Sequence, residues 1–401
     1  MQKLAEICVR RPIFASVLIL ILVVVGAVGY TRLGVDRFPN IEFPSVVVTT
    51  LSPGSSPEAV ETEITDKIEE AVNTISGIDT LSSTSLEGYS IVSIQFVLEK
   101  APDVAAQEVR DKVDQVIAAL PESAERPTVS RFNTSDVPIM AMTLSGSGSL
   151  REVTEYADKF LRRRIESTGG VGRVSVLGGR ARQINVQIDA FKLRSYNLSV
   201  LDVTRALQAQ NIEIPGGRVE EGDRTVTLRT LGRLEKIGDF SNIVLRAENG
   251  GEVLLSDVAT IEDGAAEQLS GSELNGKPTV QLSIQKQSGA NSVAVVEDIR
   301  AKLAEAGLMA PKDETAAKAF KSALPRGYEL RVARDESEFI NAALKEVKKH
   351  LVVGAILAAL VVFVFLWNWR STLIAAISIP ASILAAFALV WMAGFTLNVI
   401  A

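Results

Sequence analysis

The sequence predicts a membrane α-helical plus α+β protein, in which transmembrane helices carry a large water-exposed region built from repeated βαββαβ units. Three observations lead to this fold class. Residues 12–31 and 350–369 form two stretches of 20 residues without an acid, lysine or arginine. The 31 residues 371–401 contain no charge at all. Between the first two stretches lie 318 residues, rich in charge, in which strand and helix patterns alternate.

The apolar stretches have the length of membrane spans, because about 20 apolar residues cover the hydrocarbon core. Residues 371–401 exceed one span and break at the turn-like sequence GFTLN, residues 394–398. We therefore predict a first transmembrane helix within residues 1–31, and two further helices with the start of a fourth within residues 335–401. The basic N-terminus would suit a signal peptide. The long apolar stretch and the lack of a convincing cleavage site favour an uncleaved anchor.

Charge and rare residues exclude several classes of function. The net charge of -6 argues against nucleic-acid binding. The single cysteine, Cys8, cannot form an intrachain disulfide, and with His350 as the one histidine a His/Cys metal or nucleophile cluster is excluded. The methionines form no cluster typical of soft-metal binding. Basic residues flank both ends of the spans, so the positive-inside rule does not assign a side to the long region.

Residues 32–133 predict one βαββαβ unit. Residues 43–51 are β-branched and bounded by prolines, which predicts a strand. The sequence SSPE at residues 55–58 predicts a helix start, with a serine cap, a proline in the first turn and an acid near the positive end of the helix dipole. Strands at 80–85, 90–98 and 128–132 and a helix from Pro102 complete the ferredoxin-like order. The buried stripe of the first helix is predicted at Val60, Ile64, Ile68, Val72 and Ile75.

A second unit is predicted at residues 134–181 and 272–334, interrupted by an insertion at residues 182–271. It begins with a strand at 138–144 and a helix at 150–166, and residues 170–175 then resemble residues 77–82. Residues 184–188 match residues 92–96 to within one position, which we interpret as a weak internal repeat. A strand at 279–285, a helix at 292–306 and a strand at 328–334 resume the unit. Residues 307–324 predict a surface insertion.

Several motifs have a structural and a functional interpretation. Residues 271–278 nearly match a phosphate-binding loop, but Pro278 replaces the metal-binding hydroxyl and a strand follows, so we predict a hairpin turn and no ATP hydrolysis. Asp335 and Glu336 could gate ions, but solvated acids at a domain edge are favoured. His350 could be a proton switch, but a solvated interfacial histidine is favoured. The predicted spans contain no ionisable residue in their interior, so no proton relay is predicted within this chain.

A series of short motifs resembles the resistance–nodulation–division superfamily, in its hydrophobe/amphiphile efflux branch of acriflavine-resistance type. The motifs, in family order and spacing, are RPIFA (11–15), GVDRFP (34–39), PGS (53–55), GID (77–79), GVG (170–172), Asp335 with Phe339 and Ile340, and FLWNWRSTLI (365–374) followed by Pro380. The resemblance covers nearly the whole chain and corresponds to the N-terminal part of the family's proteins.

The resemblance implies a homotrimeric pump in the lipid bilayer of the bacterial inner membrane, with a large periplasmic region. It implies porter subdomain 1 at 32–133, a discontinuous porter subdomain 2 at 134–181 and 272–334, and a docking subdomain at 182–271. Such a pump is not an enzyme and needs no cofactor. It exports hydrophobic or amphiphilic small molecules, driven by protons, through a periplasmic adaptor (membrane fusion) protein and an outer-membrane channel. The family's proton-carrying carboxylates lie in the fourth span, past residue 401.

The resemblance also indicates Thr49, Pro138, Met140 and Leu177 as candidate substrate-binding residues. Many drug pumps of this type line the deep pocket with phenylalanines. Pro138 and Leu177 stand at two such places, which removes aromatic stacking surface and argues against a typical multidrug range. The alternative is that these are ordinary core residues, because helices pack against one face of such sheets.

Two other functions also fit the sequence. A membrane-anchored periplasmic sensor or assembly factor, which binds without transporting, would also place a soluble domain between two spans. A relative within the superfamily that is specialised for metal ions or lipids is the other. The third span and the predicted start of a fourth favour the transporter.

Overall fold

The computed structural model describes residues 10–36, 43–133, 136–212, 215–221, 224–229, 232, 234, 236–248, 251–268, 270–311, 320 and 322–393. The predicted start of a fourth span and half of the predicted surface insertion at 307–324 lie outside these residues. Within them, three helices are long and apolar enough to cross a membrane.

The first membrane helix, α1 (Pro12–Arg32), precedes an antiparallel four-stranded sheet. Its strands are β1 (Ser45–Leu51), β2 (Ile78–Leu86), β3 (Tyr89–Phe96) and β4 (Thr128–Arg131), and they stand in the order β2-β3-β1-β4. One continuous helix follows β1 and consists of α2 (Pro57–Val60), a π-helical segment (Glu61–Thr65) and α3 (Asp66–Val72). Helix α4 (Pro102–Val116) connects β3 to β4. The predicted βαββαβ order of elements is therefore observed.

The helix between β1 and β2 buries the stripe that its sequence predicts. Val60, Ile64, Ile68, Val72 and Ile75 are each at most 7% exposed. A strict spacing of four residues drifts by about 40° per step on a helix of 3.6 residues per turn. The π-helical segment has a wider turn, which offsets part of this drift. The stripe therefore stays against the sheet.

The second unit begins in the same way. It starts with β5 (Met140–Ser145), α5 (Leu150–Tyr156), a π-helical segment (Ala157–Arg162), α6 (Arg163–Glu166) and β6 (Val171–Leu177). Its buried helix residues again recur every fourth position, at Val153, Ala157, Leu161 and Ile165. Ser149 caps this helix, because its side chain accepts from the backbone N–H of Glu152 while Glu152 accepts from the N–H of Ser149.

An insertion with its own core separates β6 from the rest of the second unit. Its elements are β7 (Arg182–Ile188), α7 (Ala190–Ser195), α8 (Val200–Gln210), β8 (Pro215–Glu221), β9 (Arg224–Arg229), α9 (Ile237–Ser241), β10 (Val244–Glu248), β11 (Gly251–Leu254), α10 (Leu255–Val258) and β12 (Ala259–Ala265). Strand β7 pairs with β12 and not with the second unit's sheet. Leu193, Val203, Ile243 and Leu255 are at the centre of the buried cluster.

The pairing of β7 makes one prediction wrong. Residues 184–188 do not occupy the position that residues 92–96 hold in the first unit, because that position belongs to the strand that follows the insertion. The match arose from the alternation of apolar and polar residues. Every half-buried strand shares that alternation, so it cannot identify a strand's place in a sheet.

After the insertion, the chain returns to the second sheet through a tight hairpin. Its strands are β13 (Glu273–Leu274) and β14 (Lys277–Pro278). Asn275 and Gly276 between them have φ of 54° and 73°, the backbone of a hairpin turn that favours Asn-Gly. The hairpin predicted for this phosphate-loop-like sequence is thus confirmed.

The second sheet is completed by β15 (Val280–Lys286), α11 (Ser292–Glu305) and β16 (Glu329–Asp335). The strand order is β16-β5-β15-β6. Within each unit, the fourth strand therefore stands beside the first, then come the third and the second. The two sheets share one topology despite the insertion in the second.

Two further membrane helices follow the second sheet, α12 (Glu336–Leu366) and α13 (Trp369–Met392). At about 1.5 Å per residue, the 31 residues of α12 are longer than the hydrocarbon core is thick. The charged first turns of α12 therefore extend beyond it. At the other end, the exposed Trp367 and Trp369 flank the turn to α13, as interfacial aromatic residues do.

Candidate functional site

The second sheet has one face covered by helices and one face turned away from them. Met140, Met142 and Leu144 of β5 are fully buried against α5 and α11 in the core. Ala141 and Thr143 alternate with them and point to the opposite face. Ser283 of β15 pairs with Ala141 and lies on this face too. We call it the open face of the second sheet because α5 and α11 pack on the other side, although Ala141, Thr143 and Ser283 are themselves only 8%, 4% and 7% exposed.

The structure does not bring the four predicted substrate-binding residues together. Thr49 is half-buried on β1 of the first sheet, beside Ile91 and Thr128. Pro138 is half-buried in the segment before β5. Met140 is 0% exposed, whereas Leu177 is 47% exposed at the end of β6.

The ladder pairs place Met140 and Leu177 on opposite faces. Met140 is level with Ile284 in the core, and Leu177 is level with Gln281, which is also the neighbour of Thr143. Leu177 therefore belongs to the open face, and Met140 packs in the core on the opposite face.

Leu177 also lines a cleft where the second unit meets the insertion. The cavity has a volume of about 520 Å³. Val176, Leu177 and Ile184 form an apolar part of its wall, and Glu155 and Arg182 are among its charged lining residues. Lys159 donates a hydrogen bond of 2.5 Å to Glu155, which lowers the pKa of Glu155. The cleft thus combines an apolar end with fixed charges, an arrangement suited to amphiphilic molecules.

Asp263 holds the insertion to the second unit at this cleft. Its carboxylate accepts hydrogen bonds from Arg182 Nε at 2.8 Å and from Arg151 Nη1 at 2.8 Å. Arg182 and Asp263 lie on the paired strands β7 and β12, while Arg151 lies in the first turn of α5. The Arg182 hydrogen bond, with the charge of Arg151, lowers the pKa of Asp263. Through Arg151, Asp263 thus joins β12 of the insertion to α5 of the second unit.

Thr143 is a candidate that sequence reasoning did not select. It is 4% exposed, and its hydroxyl has no hydrogen-bond partner among the described residues. A buried hydroxyl without a partner is unfavourable, so a ligand that supplied one would gain affinity. The signal was present in the alternating sequence MAMT at residues 140–143, whose polar member lies on the face opposite to the methionines.

The second sheet continues directly into the second membrane helix. Asp335 is the last residue of β16 and the N-cap of α12, where it accepts from the backbone N–H of Ser337 at 2.8 Å. Arg300 of α11 donates from Nε to the other carboxylate oxygen at 2.9 Å. Burial alone would raise the pKa of Asp335, but the hydrogen bonds from Ser337 and Arg300 outweigh it and lower the pKa.

These contacts correct the prediction of solvated acids at this boundary. The side chains of Asp335 and Glu336 are 3% and 8% exposed. Their partners, Arg300 and Arg334, replace water as the source of hydrogen bonds. By contrast, the side chain of His350 is 77% exposed and lies 3.9 Å from Glu346.

The segment after the first membrane helix is tied to the same unit. Asp36 is 7% exposed and accepts hydrogen bonds from Lys286 Nζ at 2.5 Å and from Ser292 Oγ at 2.6 Å. Lys286 ends β15 and Ser292 begins α11. The second unit is thus connected to α1 through Asp36 and to α12 through Asp335.

The chain matches the AcrB/AcrD/AcrF family over residues 4–401. It is 31% identical over 399 residues to "Multidrug resistance protein MdtC" of Yersinia enterocolitica and of Escherichia coli K12, and 32% identical to that of Pantoea ananatis. Each comparison covers 99% of this chain and 38% of the relative, so the chain spans well under half the length of these proteins. The chain belongs to the AcrB/AcrD/AcrF family of the resistance–nodulation–division superfamily, which its motifs indicated.

Proposed function

We propose that the chain is the N-terminal part of a proton-driven inner-membrane efflux transporter that exports hydrophobic or amphiphilic compounds. The observation that carries this proposal is the family match over residues 4–401, which includes the membrane helices and both soluble units. Relatives that match 99% of the chain are named multidrug resistance proteins. A sensor or assembly factor without transport is not favoured by these relatives.

The soluble units are proposed to be ferredoxin-like porter subdomains in the periplasm, at residues 32–133 and at residues 134–181 with 272–334. The shared strand order and the separate buried core of each sheet support this division. The third buried core supports a docking subdomain at residues 182–271. The complete transporter is proposed to act as a homotrimer with a periplasmic adaptor and an outer-membrane channel.

Substrates are proposed to contact the face of each sheet that lies opposite its helices, at Thr49 on the first and at Leu177 on the second, together with Pro138 in the segment before β5. Met140 is proposed to act indirectly, by packing in the core on the other side of the second sheet. The open face of the second sheet carries small side chains at Ala141, Thr143 and Ser283 in addition to Leu177. Leu177 is the exposed member of this set, and the buried hydroxyls beside it offer hydrogen bonds and little aromatic stacking to a substrate that reaches them.

The substitution Leu177→Phe tests this proposal in the complete transporter. We expect protonophore-sensitive efflux in a pump-deficient host, with a profile that shifts towards aromatic substrates, because an exposed position accepts the larger ring. Met140→Phe is the matched control, because the same ring in a packed core destabilises the fold by about 1–3 kcal/mol. This variant should lower the amount of folded protein and, with it, the efflux of every substrate. A loss of efflux for Leu177→Phe that is equal for all substrates and follows protein amount would show that Leu177 does not contact substrate.

The function itself is tested by the unaltered transporter in the same host. Efflux that is absent, or that is insensitive to protonophore, would refute the proposed function.

A further inference from the structure

Three lysines lie in one stretch of α12, just before its apolar part. We call Lys345, Lys348 and Lys349 the lysine cluster; all three are exposed. Residues three and four apart lie on one side of a helix. Residues 351–366 after them contain no charged side chain. Since a helix rises about 1.5 Å per residue, the cluster stands within about 10 Å of the apolar stretch, which is the depth of lipid headgroups.

Tyr30 brings the end of the first membrane helix to the same level. The Nζ of Lys348 lies 5.2 Å from the centroid of the Tyr30 ring, within the range of a cation–π contact. The same ring packs against Phe387 of α13, with a centroid distance of 5.2 Å. Lys348 is therefore held where three membrane helices meet, and a tyrosine at this depth is typical of the membrane interface.

The cluster keeps positive charge after its local pairing. Glu346 lies 3.6 Å from Lys349 and 3.9 Å from His350. Among the described residues, no carboxylate forms an ion pair within 4.0 Å of Lys345 or Lys348. One acid thus offsets one of three lysines. If the soluble region is periplasmic, as proposed, these lysines lie at the periplasmic end of the spans. The positive-inside tendency, which enriches lysine on the cytoplasmic side, does not account for them there.

An apolar groove begins in the same turn of α12. It has a volume of about 410 Å³ and lies between Val347, Leu351 and Gly354 of α12 and Ile379 and Ile383 of α13. Leu351 follows Lys348 by three residues, so the lysine stands above the wall of the groove. Apart from His350, which also lines it, the groove is apolar, and it begins at the level of the charges. An apolar groove at this depth suits an acyl chain.

We propose that the lysine cluster binds the phosphate of an anionic phospholipid headgroup and that the groove receives one of its acyl chains. Lysine stems cover apolar surface while their ammonium groups reach the headgroup layer. Each lysine near anionic lipid strengthens binding about fivefold. With Glu346 offsetting one lysine, the site prefers an anionic lipid over a zwitterionic lipid with the same chains by about 25-fold. The site does not depend on the proposed transport.

The test uses the complete protein, purified in a neutral detergent and titrated with fluorescent phosphatidylglycerol or phosphatidylcholine of identical chains. Unaltered protein should bind phosphatidylglycerol more tightly. The variant K345Q/K348Q/K349Q should lose most of this preference. The matched control K192Q/K236Q/K277Q removes the same charge from three exposed lysines of the soluble region and should retain it. Equal binding of the two lipids by the unaltered protein, or equal losses in the two triple variants, would overturn the proposal.

Two further measurements test separately whether the site recognises the phosphate and whether it recognises the acyl chain. Excess inorganic phosphate should not displace phosphatidylglycerol; displacement would assign the site to free phosphate instead. Gly354 has open space around the position of a Cβ, so Gly354→Leu fills the groove without a backbone clash. This variant should weaken the binding of long-chain phosphatidylglycerol and leave the binding of a short-chain form unchanged. An equal effect on both chain lengths would overturn the acyl-chain part of the site.

Discussion

The backbone of Gly26 in α1 lies against that of Leu384 in α13, so closely that a Cβ on Gly26 would stand 1.9 Å from the carbonyl oxygen of Leu384. Gly29, one turn later, faces Phe387 in the same way at 3.2 Å. Small residues allow two membrane helices to approach until their backbones touch. This contact joins the first and third membrane helices.

We expect Gly26→Ala to separate these helices, because the obstructing atom belongs to the backbone and cannot rotate away. The destabilisation should correspond to about 1–3 kcal/mol and lower the thermal midpoint of the complete protein in detergent. Gly354→Ala is the matched control in α12, where a Cβ meets open space. Its midpoint should stay the same or rise, because alanine favours a helix by about 1 kcal/mol over glycine. Equal shifts in the two variants would disprove the close contact.

The ion pair between Arg300 and Asp335 should stabilise the connection between the second sheet and α12. The side chains are 17% and 3% exposed. Arg300→Gln leaves a buried carboxylate without its cation, for which the expected loss is about 3–5 kcal/mol. Arg331→Gln breaks a pair with Glu329 whose side chains are 53% and 55% exposed, and should cost about 0–1 kcal/mol. Thermal unfolding compares the two, and similar midpoints would show that Asp335 is satisfied without Arg300.

The pH dependence of stability gives a second test of Asp335. Its pKa is lowered from the ordinary value of 3.8 in the folded protein. A lowered pKa contributes stability that is fully present above the unfolded value and is lost as the pH falls through the folded value. The difference in midpoint between the unaltered protein and Asp335→Asn should therefore be constant near neutral pH and shrink below pH 3.8. A constant difference for Asp335→Asn at all pH values would contradict the lowered pKa.

Local patterns predicted the elements of both units, but not the contacts that connect them to the membrane. The stripe from Val60 to Ile75 was readable because buried residues recur with the helix, and the hairpin at Asn275 because its dipeptide demands a particular turn. Arg300 is 35 residues from Asp335, and Lys286 is 250 residues from Asp36. No local pattern relates such partners, so the burial of Asp335 was missed.

The strand faces were predictable only in part. Alternation in β5 separates Met140 from Thr143, but which face the helices cover depends on how the sheet is assembled. The insertion after β6 conceals that assembly, because its first strand has the same alternation as the strand that completes the sheet. The candidate residues Met140 and Leu177 were therefore grouped although they lie on opposite faces.

Cysteine labelling tests on which side of the membrane the soluble region lies. Cys8, the one cysteine within residues 1–401, precedes the first span, and Glu297 is exposed on α11. If residues 32–349 are periplasmic, as proposed, Glu297→Cys should react with a membrane-impermeant maleimide in cells whose outer membrane has been permeabilised. The unaltered protein, with Cys8 in the cytoplasm, should react only after the inner membrane is opened. The substitution is at an exposed position, so folding and protein amount should not change, and labelling in denaturant confirms that both thiols are reactive. Labelling of Cys8 in cells with an intact inner membrane, together with protection of the cysteine at position 297, would reverse the topology and remove the basis for periplasmic porter subdomains.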